Sequence, residues 1–203
     1  MYFQYGDKEI EYLRSKDKKL AEVIDKVGHI DRTVDTDLFS SVVHHIIGQQ
    51  ISTKAQQTIW LRMNEKYGHV TPEVIDSADA AELQSLGMTF RKAEYIKDFS
   101  HKVVSGEFSL DAVWHMSDEE AVEALSSLKG VGVWTAEMIL LFCVQRSDIL
   151  SFGDLAIQRG MRMVYHHRKI DKSFLKNIAG GCPLTAAPQA CISGRYRAAL
   201  LRE

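Results

Sequence analysis

Between Leu128 and Ala136 the chain reads Leu-Lys-Gly-Val-Gly-Val-Trp-Thr-Ala, and Asp154 follows Gly132 by 22 residues. These residues could do chemistry on a phosphate-bearing substrate. A tight turn with Gly130 and Gly132 on either side of Val131 would free backbone N–H groups at the start of the next helix. Unpaired donors and the positive end of a helix dipole favour a phosphate oxygen there. A carboxylate one helix downstream could then act beside a bound nucleic-acid backbone. Helical spacing on both sides supports the turn: Val122, Leu125 and Leu128 precede it behind a Ser117-x-x-Glu120 capping box, and Ala136, Ile139, Leu140 and Cys143 follow it. A Gly-x-Gly alone is equally a plain helix-helix corner; the longer string with the spaced aspartate is more specific.

That string resembles the helix-hairpin-helix of base-excision DNA glycosylases, and within that superfamily the 3-methyladenine DNA glycosylase II branch. Three further segments carry the resemblance in the family's order. Ile46-Ile47-Gly48-Gln49-Gln50-Ile51-Ser52 is similar to the branch's minor-groove segment, Leu86 to Ile96 to its Arg-Lys-Ala helix start, and Phe152-Gly153-Asp154-Leu155-Ala156 to the stretch holding its catalytic aspartate. The match runs from about Asp7 to Lys176. It implies a monofunctional glycosylase that hydrolyses the N-glycosidic bond of alkylated purines such as 3-methyladenine and 7-methylguanine in duplex DNA. The alternatives are a glycosylase for mismatched or oxidised bases, or a non-catalytic helix-hairpin-helix module that docks DNA. No cofactor is implied, and the expected state is a monomer.

The resemblance also assigns roles. A base inside a duplex must be extruded before an enzyme can reach its glycosidic bond. Gln50 is expected to fill the vacated stack, with Gly48, Gln49, Ile51 and Ser52 along the minor groove; a polar helix-helix turn is the plain alternative. Gly130, Val131, Gly132 and Thr135 are expected on the DNA backbone. Asp154 is expected to stabilise the positive charge that develops on the sugar, while its plain reading is a helix N-cap. Trp134, Met138 and Leu155 are expected to line the base pocket. An electron-poor alkylated ring stacks well on an aromatic face, although Trp134 read by periodicity alone is ordinary core. Bifunctional relatives carry a lysine at the Trp134 position, and tryptophan offers no nucleophile for a Schiff base. Carbonyls of Ser126, Leu128 and Val131 are where the superfamily can hold a monovalent cation. No other metal site is expected, since His44 and His45 are adjacent and point to different helix faces.

The elements that must position these residues are helical. The chain has 203 residues, 45% hydrophobic and 26% charged, and suits one or two compact lobes. Apolar positions recur at helical spacing: Ile10, Leu13, Leu20, Val23 and Ile24 in one stripe up to Gly28, then Leu38, Val42, Val43 and Ile46 up to Gly48. Thr53 to Gln56 reads as a capping box ahead of Ile59, Trp60 and Met63, Thr71-Pro72 as a helix start, and Thr89 as the cap before Ala93, Ile96, Phe99 and Val103. No useful strand alternation appears. The expected fold is an all-α, two-lobed helical bundle. The N-terminal helix and the residues after about 160 form one lobe and about 40–150 the other, within a glycosylase domain of residues 1–176.

Net charge is −2, yet Ser126 to Lys176 holds eight basic residues against four acidic, a local face compatible with phosphates. Three cysteines, Cys143, Cys182 and Cys191, cannot hold a four-cysteine iron–sulfur cluster, which separates the chain from cluster-bearing endonuclease III relatives. No apolar run reaches bilayer length and the first residues lack a signal peptide's pattern, so a cytoplasmic protein is expected, nucleoid-associated in a prokaryote. Residues 177–203 form an atypical tail. From Asn177 to Gly194 there is no charged residue, and the family's closing Ser-Pro-Tyr and pocket tryptophan are missing. Codons compatible with this stretch, read in another frame, spell a segment close to that family ending. The expectation is a frameshift after Lys176 that impairs activity; a divergent terminus is the alternative.

Overall fold

The computed structural model describes residues 2–3, 6–29, 31, 33–146, 149, 151–171 and 173. The frameshift expected after Lys176, Cys182 and Cys191 fall outside the described residues. In chain order the helices are α1 (Asp7–Lys16), α2 (Lys18–Val27), α3 (Leu38–Gly48), α4 (Thr53–Tyr67), α5 (Pro72–Ser77), α6 (Ala80–Ser85), α7 (Phe90–Val104), α8 (Leu110–His115), α9 (Asp118–Ser126), α10 (Val133–Phe142) and α11 (Leu155–Tyr165). The only strand-like feature among the described residues is one isolated antiparallel bridge between Tyr2 and Thr33. The fold is all-α.

Two compact units result, one of Asp35–Val144 and the other of the described residues of Met1–Val34 and Gln145–Glu203. In the terminal unit, α2 packs against α1 and α11. Leu13, Leu20, Val23 and Ile24 meet Ile157, Met161, Val164, Tyr165 and Ile170 in one buried cluster. The stripe from Ile10 to Ile24 was expected on a single helix, and the structure corrects this. Asp17 is extended between α1 and α2, and its carboxylate accepts the Leu20 N–H at 2.9 Å. An aspartate that satisfies a first-turn amide starts a new helix rather than continuing the old one.

In the larger unit α3 is central. Its Leu38, Phe39, Val42, Val43, Ile46 and Ile47 are all buried, and it packs on α4, α7 and α10. A helix apolar nearly all round must lie inside. Phe39 stacks on Phe99 of α7 with ring centroids 5.1 Å apart, and Phe108 closes on Phe99 edge-on at 5.8 Å. Helix α9 packs on α10 across the turn that contains the two glycines. The Ser117 box forms both its bonds: the Ser117 N–H reaches Glu120 Oε2 at 2.9 Å and the Glu120 N–H reaches Ser117 Oγ at 3.3 Å. Thr71 and Thr89 cap α5 and α7 as the sequence indicates. The cap of α4 lies one residue earlier than expected. Ser52 Oγ accepts the Ala55 N–H at 3.2 Å, while Gln56 turns inward and donates to the His44 carbonyl at 2.8 Å.

Candidate nucleic-acid interface and catalytic carboxylate

Helix α3 ends at Gly48, and Gln49, Gln50 and Ile51 form a short loop before Ser52 caps α4. A Cβ on Gly48 would lie 2.8 Å from the Gln56 side chain, so glycine here serves the packing of that inward-turned amide. Gln50 is exposed with φ of 57°, the left-handed region that a non-glycine residue adopts only under constraint. Its neighbour Gln49 differs. The Gln49 amide donates to the Gly130 carbonyl at 2.6 Å, bridging 81 residues of sequence, so this side chain ties the loop to the hairpin turn. One N–H of the Gln49 amide is committed to that carbonyl, and the amide retains a second N–H and its carbonyl oxygen.

The two glycines of the hairpin are not equivalent. Gly130 has φ of 82°, and a Cβ there would overlap the Tyr95 ring. Gly132 has φ of −96° and nothing within 4 Å of the position a Cβ would take. Local packing therefore requires glycine at 130 and leaves 132 open to an approaching molecule. Val131 is buried, and its N–H is directed to the Leu128 carbonyl at 3.1 Å. Any contribution of Val131 to an external ligand is thus limited to its carbonyl. In α10 the first intrahelical bond runs from Ala136 N–H to the Gly132 carbonyl at 2.9 Å, which places the amides of Val133, Trp134 and Thr135 ahead of it in the first turn.

Lys92, in the first turn of α7, closes this arrangement. Its ammonium donates to the carbonyls of Ile47 at 2.8 Å and Gln49 at 2.6 Å, the last carbonyls of α3 and its cap. Desolvation lowers its pKa from the ordinary lysine value. Arg91 lies over the Tyr95 ring, 5.4 Å from the centroid, and its Nε donates to the Tyr95 hydroxyl. Gln49, Gln50, Ile51, Thr89, Arg91, Lys92, Tyr95 and Gly130 together line an open cleft of about 390 Å³. Sequence reasoning placed Arg91 and Lys92 in a motif without a role; their position directly after a Thr89 cap was the signal available.

Trp134 is 48% exposed, which excludes the ordinary-core reading, and Met138 one turn later is buried. Thr135 is buried at 7%, so its side chain faces the protein. Asp154 and Leu155 belong to the terminal unit. Leu155 is 64% exposed at the first position of α11. Asp154 caps that helix through Oδ1, which accepts the N–H groups of Ala156 at 2.7 Å and Ile157 at 2.9 Å. The N-cap reading of Asp154 is thereby realised, and it holds the carboxylate in a fixed orientation.

Other polar groups belong to the scaffold. Burial pushes the Cys143 thiol up to about 12, that of an inert small hydrophobe. His44 lies 3.7 Å from Asp35 and tilts against Trp60, and the imidazole beside it lowers the Asp35 pKa. His45 is desolvated, which lowers its pKa, and hydrogen-bonds the Ser41 carbonyl at 2.8 Å. Among the described residues, no three His, Cys, Asp or Glu side chains converge on a metal position. At the candidate cation carbonyls, the Leu128 oxygen is engaged by Val131, while the Ser126 hydroxyl is buried with no hydrogen-bond partner.

A two-unit helical fold with a glycine hairpin and a helix-capping aspartate defines a recognisable class. The chain belongs to the HhH-GPD superfamily of base excision DNA repair proteins, whose family model matches residues 43–181. It is 29% identical over 136 residues to DNA-3-methyladenine glycosylase 1 of Schizosaccharomyces pombe, covering 65% of this chain and 60% of that protein. The fold superimposes on the crystal structure of a DNA-3-methyladenine glycosidase from Bacillus halodurans with a TM-score of 0.82, 28% identity and full coverage of both chains. It also resembles the fission-yeast 3-methyladenine DNA glycosylase solved with abasic DNA, with a TM-score of 0.79, 25% identity, and 95% and 98% coverage. The chain spans 60% of the length of its fission-yeast relative and 57% of a Bacillus subtilis one. No helix among the described residues is long and apolar enough to cross a membrane.

Proposed function

We propose that this protein is a monofunctional DNA glycosylase that excises N-alkylated purines, such as 3-methyladenine and 7-methylguanine, from double-stranded DNA and acts as a monomer. The observation that carries the reading is the tie between the Gln50 loop and the hairpin turn. Exposed Gln50 and open Gly132 sit on segments joined by one hydrogen bond at 2.6 Å, so a minor-groove wedge and a backbone anchor would meet one duplex together. The amides at the start of α10 would receive a phosphate, aided by the helix dipole. The carbonyls of Ser126, Leu128 and Val131 would hold a monovalent cation, which would add positive charge at this turn.

Gln50 enters the space left by the extruded nucleotide and hydrogen-bonds the orphaned partner base. Ile51 and Ser52 flank it. Trp134, half exposed where a core residue would be covered, offers a face for an electron-poor ring, with Met138 one turn along the same helix. The N-glycosidic bond then breaks, and the purine leaves with the bonding pair, which cancels its positive charge. Asp154 stabilises the cationic sugar while water adds at C1′ and releases a proton. With tryptophan at position 134 there is no amine to form a Schiff base, so the strand is left intact at an abasic site. Chromatography of bases released from methylated duplex DNA tests the reading: 3-methyladenine and 7-methylguanine should appear faster than by spontaneous loss. Release at the spontaneous rate would overturn it.

A further inference from the structure

Building on the glycosylase reading, we infer that Lys92 and Gln49 are positioning residues that lock the Gly48–Ser52 loop to the hairpin turn and so hold Gln50 ready to enter a duplex. Three hydrogen bonds make this latch. Lys92 Nζ reaches the Ile47 carbonyl at 2.8 Å and the Gln49 carbonyl at 2.6 Å, and Gln49 Nε2 reaches the Gly130 carbonyl at 2.6 Å. The loop between them has few contacts of its own: Gln50 is exposed, and the Ile51 N–H to Gly48 carbonyl bond is long at 3.4 Å. A residue at φ of 57° persists only where its surroundings over-determine it. The ammonium binds the carbonyl directly before Gln50, and the side chain of the same residue, Gln49, is bound to Gly130.

An ordinary helix cap would need only the Ile47 bond. The bond to the Gln49 carbonyl reaches past the helix end, and the amide bond to Gly130 adds nothing to α3; both act on the loop. A cation is favoured at this helix terminus, and burial strengthens its hydrogen bonds to the carbonyls. The Tyr95 ring lies beside Gly130, where even a Cβ would not fit, so the hairpin side of the latch is closely packed. A wedge presented rigidly and in register with the backbone anchor does not have to be ordered when DNA is bound, which favours extrusion.

The test compares the parent with Lys92→Met, Gln49→Leu and the conservative Lys92→Arg. Hydrogen exchange on the DNA-free proteins reads the latch. Lys92→Met should raise exchange about tenfold or more in both Gly48–Ser52 and Lys129–Gly132, with α9 and α11 unchanged, and Lys92→Arg should restore most of the protection. Unchanged exchange in these two segments would overturn the latch. Single-turnover excision then reads the positioning role, using one N-methylated purine either paired in a duplex or already looped out in a bulge. Both disrupting variants should lose about tenfold or more on the paired lesion and under about threefold on the bulged one, because only the paired base must be extruded. Equal losses on the two substrates would mean a general structural defect and overturn the positioning role. A parent inactive on both would overturn the glycosylase reading instead, with exchange still deciding whether the latch exists.

Discussion

Replacing Asp154 separates its two jobs. Oδ1 accepts two N–H groups of α11, at 2.7 and 2.9 Å, and asparagine offers an oxygen of the same size at the same place. Asp154→Asn should therefore change stability by only a few tenths of a kcal/mol, whereas Asp154→Ala should lose the cap at a cost of about 0.5–2 kcal/mol. Excision follows a different order. Removing a group that stabilises charge in the transition state costs about 100- to 1,000-fold in rate, or roughly 2.7–4 kcal/mol. Asp154→Asn and Asp154→Ala should then be similarly slow, although only the second is less stable. Affinity for duplex DNA should hold or tighten, since a negative charge near phosphates has gone. Thermal melts and single-turnover excision on the same preparations give both orders. Near-parent excision by Asp154→Asn would refute the reasoning and leave Asp154 as a cap alone.

Gly130→Ala should destabilise the protein by about 2 kcal/mol or more, through overlap with Tyr95 and a left-handed φ; Gly132→Ala, with open space around it, should melt like the parent yet bind duplex DNA less tightly at every sequence. Equal melting of the two variants would show that the turn is not held as described. Trp134→Ala should lower excision of methylated purines while costing less than about 1 kcal/mol of stability, because the ring is half exposed; a loss of 3 kcal/mol or more in a urea titration would return Trp134 to the core. The lowered Asp35 pKa gives stability that is present above the ordinary aspartate value of about 3.9 and is lost as pH falls through the lower folded value. Acid unfolding should accordingly be less steep in Asp35→Asn below about pH 4, and identical curves would remove the His44 pairing as a stabilising contact.

Local chemistry was legible in the sequence. Ser117 with Glu120, Thr71 before Pro72, and Thr89 before the Arg-Lys-Ala run act over three or four residues, and each is realised as read. The break at Asp17 was not read because the apolar stripe keeps its period across it; only the side-chain bond to Leu20 shows that the helix restarts. Ser52 and Thr53 are both competent caps, and the inward bond of Gln56 to the His44 carbonyl removes the partner a box at Thr53 would need. The different reasons for Gly130 and Gly132 required knowing that Tyr95, 35 residues earlier, lies against one and not the other. The latch was out of reach for the same reason. Its bonds join residues 43, 45 and 81 apart, and nothing in local pattern distinguishes Gln49, turned to the hairpin, from Gln50, turned to solvent.

The central claim, base excision without strand cleavage, is tested most directly on a synthetic duplex with one N-methylated purine. After a single-turnover reaction, half of the sample is heated in alkali and half is not. The account predicts scission at the lesion only in the alkali-treated half, in an amount equal to the free base released. Scission without alkali would contradict the monofunctional assignment, and intact strands in both halves with no base released would contradict the glycosylase itself.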